Sequence, residues 1–181
     1  VAVVDSIVAA GAECIARQGL PDVVIANAGI SVGMDTAVRE DLDVMARTFA
    51  TNNLGLAATF HPFAQGMTER RSGTLVGIAS VAGIRGLPGH GAYCASKAGL
   101  RSFTQALRYN LRESNVHVIE ALPPVVDTAM TRGRLGGNKM SAPDCAAQIV
   151  DAIESNSAEA NVGMVKLLKM VYSISPALAR R

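Results

Sequence analysis

The chain has 181 residues, of which 49% are hydrophobic and 18% charged, and its formal net charge is +2. This composition predicts one globular domain and excludes a disordered chain. The near balance of charge and an aromatic content of 4% argue against a nucleic-acid partner.

The three cysteines are far apart in the sequence. Cys14, Cys94 and Cys145 are separated by 80 and 51 residues, which excludes a C-x-x-C redox or zinc pair. No His, Cys, Asp or Glu cluster has the spacing of metal ligands, so no metal is predicted. No run approaches the roughly 18 apolar residues of a membrane span. We therefore expect a soluble protein in a reducing compartment, the cytoplasm.

The first third of the chain predicts a helix, a strand and a long helix. Residues 6–17 have helical periodicity, and Gly19 behind them is a typical helix stop. Residues 22–27 are a β-branched run, apolar on both faces, which predicts a buried strand. An apolar stripe at steps of three and four then predicts one long helix that Pro62 should kink or interrupt. The stripe consists of Leu42, Met45, Phe49, Asn53, Leu56, Phe60, Phe63 and Met67.

The remaining elements continue the alternation of strands and helices. Residues 73–80 and 115–122 are apolar on both faces and predict two more buried strands, while residues 92–112 predict a helix between them. A further helix is expected to begin at Ser141, whose hydroxyl can cap it. Residues 155–161 are too polar to predict a strand. This succession predicts an α/β fold with a doubly wound parallel sheet, Rossmann-like.

Tyr93 and Lys97 lie four residues apart and therefore share one face of the predicted helix. An ammonium group near a phenol favours the phenolate, so Lys97 is expected to lower the pKa of Tyr93 and make it a usable proton donor. The alternative is an exposed tyrosine beside a lysine that extends into solvent.

Two further polar residues have candidate roles. Ser80 ends a buried strand at the edge of the sheet where ligands bind, and it can donate a hydrogen bond to a substrate or simply bond its own turn. Asn53 interrupts an apolar stripe, and a buried amide needs partners. It either bonds neighbouring backbone or orders a water near Tyr93 and Lys97. Asn52 lies off the stripe and is the weaker candidate.

Together these residues resemble the short-chain dehydrogenase/reductase family, over about residues 1–128. The matching features are N-A-G at residues 27–29, N-L-G at residues 53–55, Ser80, Tyr93, Lys97 and P-P-V-V-D-T at residues 123–128. The resemblance implies an NAD(P)-dependent enzyme that interconverts a secondary alcohol and a ketone. It does not choose between NAD and NADP.

The resemblance also implies a role for each matching residue. Tyr93 would be the acid/base, Ser80 would hold the substrate oxygen, and Lys97 would lower the tyrosine pKa and bind the nicotinamide ribose. Asn53 would hold a water that links Lys97 to solvent. Residues contributing to the cofactor cleft would be Asn27, Ala28, Gly29, Tyr93, Lys97, Pro123, Val126 and Thr128.

Two departures from the family pattern are visible. Pro123 is followed by Pro124 where the family usually has glycine, so this loop is expected to sit differently. The family's glycine-rich phosphate loop, G-x-x-x-G-x-G, does not occur in the sequence. We therefore expect residues 1–181 to form a single domain that is incomplete at its N-terminus. Its first strands are expected to belong to a longer protein of which this chain is a part.

The last part of the chain, residues 129–181, is expected to form a lid and a C-terminal helical part of the same domain. The glycine-rich segment before Ser141 is typical of a lid or of an ordinary surface loop. Residues 162–181 are apolar with four basic side chains, and a substrate-pocket helix, a subunit contact, core packing and a membrane-surface segment all remain open.

The sequence thus predicts an oxidoreductase with a small-molecule alcohol or ketone as substrate, assembled as a homodimer or homotetramer through the helices of residues 42–67 and 92–112. The alternatives are a catalytically inactive relative or remnant that binds a nucleotide or a protein, and a member of the same fold that performs epimerisation or dehydration.

Overall fold

The computed structural model describes residues 3–133 and 139–174. The helices are α1 (Val4–Gln18), α2 (Asp41–Phe49), α3 (Gly55–Arg70), α4 (Gly91–Leu111), α5 (Ala142–Glu154) and α6 (Val165–Ile174). The strands are β1 (Val23–Ala26), β2 (Gly73–Ile78), β3 (Val116–Leu122) and β4 (Glu159–Asn161). None of the described helices is long and apolar enough to cross a bilayer.

The four strands form one parallel sheet in the order β1-β2-β3-β4. Helices α2 and α3 connect β1 to β2, α4 connects β2 to β3, and α5 connects β3 to β4. Parallel strands require such crossovers, and their carboxyl ends meet at one edge of the sheet. The predicted α/β fold with a parallel sheet is confirmed.

The central and outer strands differ in burial. Leu75 and Val76 of β2 are both fully buried, since helices cover both faces there. In β1, however, Val23 and Ile25 remain 39% and 47% exposed. Helix α3 packs on β1 and covers one face, so the prediction that this strand is buried on both faces is wrong.

A short fourth strand forms where none was predicted. Residues of β4 pair with the end of β3, with Glu120 opposite Glu159 and Leu122 opposite Asn161. The polar side chains of β4 are accommodated because the Lys169 ammonium pairs with the Glu159 carboxylate, while Ala160 points into the core. The prediction that residues 155–161 contain no strand is therefore wrong, because three residues are too few to show a period.

The predicted long helix is interrupted, but at a different place. A π-helical turn at Ala50–Leu54 separates α2 from α3, while Pro62 lies inside α3. A π turn contains an extra residue, which shifts the side chains that follow to another face. Beside Pro62, α1 approaches closely at Gly11, where an added Cβ would lie 2.5 Å from the proline Cγ.

The helix caps and the C-terminal part follow the sequence more closely. Gly19 ends α1 with a φ of 81°, and the Ser141 hydroxyl accepts a hydrogen bond from the Asp144 amide at 3.1 Å. Helix α6 is anchored by Val165, which is 2% exposed. Residues 134–138 of the expected lid and residues 175–181 lie outside the described residues.

Candidate active site

Ser80 lies at the carboxyl edge of the sheet, two residues after β2. It is 8% exposed, and its Oγ accepts a hydrogen bond from the Ala82 amide at 3.1 Å, which caps a 3₁₀ turn at Val81–Gly83. One lone pair of the hydroxyl is thus occupied by the chain, while its proton remains available to a partner. The turn and substrate interpretations of Ser80 are therefore compatible with each other.

Tyr93 extends from the first turn of α4 towards Ser80. Burial raises the pKa of its phenol, a hydrogen bond with the Ser80 side chain opposes that shift, and the neighbouring Cys94 adds to it. The raised pKa means that Tyr93 holds its proton at neutral pH. Burial is the largest influence on this pKa, and the expectation that Lys97 lowers it stays a prediction.

Lys97 is nearly inaccessible to solvent, with 4% of the residue exposed. Its Nζ donates a hydrogen bond to the Ile78 carbonyl at 2.6 Å and lies 5.8 Å from the centre of the Tyr93 ring. Burial lowers the pKa of Lys97 to about 8. The ammonium form still dominates near neutral pH and faces the aromatic ring.

The burial of the two adjacent asparagines is the reverse of the prediction: Asn52 is the more buried one. Asn52 is 1% exposed and links three groups: its Oδ1 accepts from the Ile30 amide at 2.8 Å, and its Nδ2 donates to the Ile30 carbonyl and the Ser96 hydroxyl. The Ser96 hydroxyl in turn donates to the Tyr93 carbonyl at 2.8 Å. The prediction that Asn52 is off the buried face is wrong, because the π turn breaks the period on which it depended.

Asn53 is only partly buried as a residue, but its amide is enclosed. Its Nδ2 donates to the Ser96 carbonyl at 2.8 Å, while its Oδ1 is a buried acceptor without a partner among the described residues. Such an acceptor costs free energy unless it receives a hydrogen bond. It leaves a place where a water could donate.

The loop after β1 lies against these groups. At Gly29 an added Cβ would meet the Asn52 Oδ1 at 3.3 Å and the Lys97 Nζ at 3.5 Å. The missing side chain therefore leaves a small recess bordered by a lysine and an amide. Asn27 and Ala28 are exposed at the rim of the same recess.

The segment after β3 passes over the site from the other side. The Pro123 carbonyl accepts from the Val81 amide at 3.0 Å, which joins this segment to the turn of Ser80. Val126 forms an isolated parallel bridge with Met140, and Thr128 caps a 3₁₀ turn at Ala129–Thr131. The segment is thus hydrogen-bonded in place despite the second proline.

Two cavities meet at Ser80 and Tyr93. The first, which we call the cofactor cavity, has a volume of about 680 Å³. It is lined by every residue predicted for the cofactor cleft: Asn27, Ala28, Gly29, Tyr93, Lys97, Pro123, Val126 and Thr128. The second, which we call the ketone cavity after the ligand proposed for it below, has a volume of about 620 Å³. Among its walls are Val81, Ala82, Leu87, Pro88, Val125 and Met130.

The structure adds Met130 and Thr131, which the sequence did not single out, and it places Pro124, noted above as a departure from the family pattern, in both cavities. All three residues line both cavities, together with Ser80 and Tyr93. Sequence patterns could not identify Met130 and Thr131, since they belong to a segment without a period. The sequence did show an asparagine within an apolar helix, but the periodicity of the apolar residues selected Asn53 instead of Asn52.

Comparison with known proteins gives a consistent result. The family profile described as "short chain dehydrogenase" matches residues 1–137. An uncharacterized oxidoreductase of Myxococcus xanthus is 42% identical over 116 residues, covering 64% of this chain and 46% of the relative. An NADP-dependent 3-hydroxy acid dehydrogenase of Schizosaccharomyces pombe is 30% identical over 121 residues, covering 67% of this chain and 47% of the relative. The chain thus spans about half the length of these relatives.

Among solved structures, a short chain dehydrogenase from Burkholderia cenocepacia in complex with NADP superimposes with a TM-score of 0.86. The sequences are 21% identical, and the match covers 98% of this chain and 73% of the other. At that identity the likeness supports the fold.

Proposed function

Because the chain belongs to the short-chain dehydrogenase family, we propose that it is an NAD(P)-dependent oxidoreductase that interconverts a secondary alcohol and a ketone. The observation that carries this proposal is the meeting of two cavities at Ser80 and Tyr93. Because Tyr93 lies on the wall that the two cavities share, it can give a proton to a substrate in one cavity while a cofactor is bound in the other.

The cofactor cavity suits the nicotinamide end of a dinucleotide. Gly29 and Lys97 both line it, and the Lys97 ammonium, which gives one hydrogen bond to the Ile78 carbonyl, has further protons to donate to ribose hydroxyls. Val126 and Thr128 line the same cavity, and the Val126 backbone is the group we propose for contact with the carboxamide. We therefore assign Asn27, Ala28, Gly29, Pro123, Val126 and Thr128 to cofactor contact.

The proposed chemistry needs one proton and one hydride for each ketone reduced. NADH or NADPH, when bound, supplies the hydride. Ser80 donates a hydrogen bond to the carbonyl oxygen, and Tyr93 gives that oxygen its phenolic proton. The resulting phenolate lies near the Lys97 ammonium, whose Nζ is 5.8 Å from the ring centre. Its charge is stabilised there until a proton returns from solvent.

The two asparagines have different proposed roles. We propose that Asn52 is a positioning residue, because its three hydrogen bonds tie the loop of Ile30 to Ser96 and through it to the Tyr93 backbone. Asn53 keeps the role proposed from the sequence, with its unpartnered Oδ1 accepting a hydrogen bond from a water near Lys97.

We propose to titrate the NADP form of the cofactor first. The relative from Schizosaccharomyces pombe is named as NADP-dependent, and the Burkholderia structure was solved with NADP. Both names describe those proteins, and NAD is to be titrated in parallel.

Assembly as a homodimer or homotetramer is proposed from one surface. Helices α2 and α4 pack on each other, and large apolar side chains around them are exposed, with Leu54 at 52% and Phe103 at 40%. A second copy would bury this surface. Sedimentation equilibrium of Leu54→Glu should then give a smaller species than the unsubstituted protein, and an unchanged mass would reject this interface.

A cytoplasmic location remains a prediction.

The experiment for the activity is a two-step titration of the purified protein. NADPH and NADH are first titrated while nicotinamide fluorescence is followed, and ketones are then added while nicotinamide absorbance is monitored. Saturable binding followed by ketone-dependent oxidation of the cofactor is expected. Binding without turnover of any ketone would favour an inactive nucleotide-binding relative, and no binding would reject the cofactor assignment.

A further inference from the structure

We propose that the ketone carries a long apolar tail, which leaves the ketone cavity and lies in a groove along α6. The proposal rests on the proposed function and adds a substrate class to it. The α6 groove has a volume of about 440 Å³. Its walls are Val81, Pro124, Met164, Val165, Leu167, Leu168 and Val171.

Continuity with the ketone cavity is the first argument. Val81 and Pro124 line both spaces, so the groove begins where that cavity ends. Val81 directly follows Ser80, which places this junction beside the group that holds the carbonyl oxygen. A molecule held at Ser80 and longer than the cavity would extend over these two side chains.

Pro124 contributes the surface that joins the two spaces. A glycine at this position would offer only backbone, whereas the proline ring adds apolar atoms on the side of α6. The ring reaches the turn before that helix, since an added Cβ at Gly163 would lie 3.8 Å from the Pro124 Cγ. The second proline, which departs from the family pattern, thus builds part of the wall.

The chemistry of the walls selects the occupant. All seven side chains are apolar, and two of them are strongly exposed, with Met164 at 72% and Leu167 at 45%. Neither lysine of α6 lines the groove: Lys169 is paired with Glu159, and Lys166 is exposed to solvent. A sugar or a phosphate would lose hydrogen bonds with water on entering such a groove and regain none. An alkyl or acyl chain would instead remove apolar surface from water on both sides.

The test is a series of straight-chain methyl ketones of four, six, eight and ten carbons. Dissociation constants are measured by isothermal titration calorimetry with and without cofactor, which needs no turnover, and kcat/KM is measured in parallel. The test variant is Leu167→Gln, which replaces a half-exposed groove side chain. The matched control is Met170→Gln on the same helix, because Met170 is 54% exposed and does not line the groove.

We expect affinity and kcat/KM to rise by about threefold for each methylene beyond the ketone cavity. Leu167→Gln should weaken the ten-carbon ketone by about fivefold and leave the four-carbon ketone unchanged, and Met170→Gln should change neither. Turnover without dependence on chain length, or a dependence that Leu167→Gln leaves intact, would overturn the tail groove while the dehydrogenase proposal stands. Binding that depends on chain length without turnover of any ketone would instead overturn the proposed activity and leave the groove as a binding site.

Discussion

The two cavities on either side of Tyr93 are built in different ways. Both cavities have mainly apolar walls, but the cofactor cavity also borders polar groups that hydrogen bonds hold across long sequence separations, such as Asn52 with Ile30 and Lys97 with the Ile78 carbonyl. The ketone cavity is walled mainly by apolar side chains from loops, including Leu87 and Val125. A polar wall requires particular residues at particular places, whereas an apolar wall requires only shape and volume.

This difference predicts which changes each side tolerates. Polar groups around the cofactor cavity are shared among several partners, so removing one leaves others unsatisfied. Substitutions on the ketone side alter the fit of a ligand without disturbing the chain. Tyr93, which belongs to both cavities, is where the two kinds of wall meet.

The largest effect is expected at that shared residue. Tyr93→Phe removes the proton donor and retains the ring, so turnover should fall by about 10²- to 10⁴-fold while cofactor affinity changes little. Steady-state rates and fluorescence titration measure the two quantities. Tyr109→Phe, at a 62% exposed position on the same helix, is the control and should be silent. Retained turnover in Tyr93→Phe would reject the acid/base role.

The pH dependence of stability should identify the buried Lys97. Its pKa is about 8 in the folded chain against an ordinary value of 10.5, so between these values the unfolded chain binds more protons and stability rises with pH. This contribution of Lys97 should amount to about 3 kcal/mol and be absent in Lys97→Met. Urea unfolding at several pH values measures it. The exposed Lys166→Met should keep the slope of the parent, and the same slope in Lys97→Met would contradict the assignment.

The two asparagines give a sharper test of the polar wall. Asn52→Ala breaks three hydrogen bonds and should lower the free energy of unfolding by about 3 kcal/mol, whereas Asn53→Ala breaks one and should cost about 1 kcal/mol. Asn52→Ala should also weaken cofactor binding, because it frees the loop of Gly29. Equal losses in chemical denaturation would mean that the π turn does not separate their roles.

The smallest effects should separate the two cavities from each other. Leu87 lines the ketone cavity and Val126 the cofactor cavity. Leu87→Ala should raise the KM for a ketone by about threefold and leave cofactor affinity unchanged, and Val126→Ala should do the reverse. If both substitutions changed both constants alike, the division into two binding spaces would be wrong.

Sequence patterns predicted most of the fold and the polar half of the site. Apolar runs such as residues 73–80 give β2 correctly, because a buried parallel strand needs side chains of that type on both faces. The Tyr93 and Lys97 pair was predictable because four residues of helix bring any two side chains together. The residues predicted for the cofactor cleft all line one cavity.

Three features escaped prediction for physical reasons. A π turn adds a residue to a helix without any signature of its own, so the period assigned burial to Asn53 instead of Asn52. The strand β4 depends on pairing with β3 and on the Lys169 partner of Glu159, both distant in sequence. The raised pKa of Tyr93 depends on how deeply the fold buries the ring, which the spacing to Lys97 does not reveal.

Because Gly11 and Pro62 are in close contact, the residue tolerated at one of these positions depends on the residue at the other. A side chain at position 11 is excluded while the proline ring is present, since its Cβ would lie 2.5 Å from the Cγ. Gly11→Ala should therefore be harmful alone and better tolerated beside Pro62→Gly, with a coupling of about 1 kcal/mol in a double-mutant cycle; glycine is needed because the Pro62 Cβ, which alanine would keep, would lie 2.8 Å from the new Cβ. Epistasis of this kind lets a sequence accept both changes together while it rejects the first change made alone.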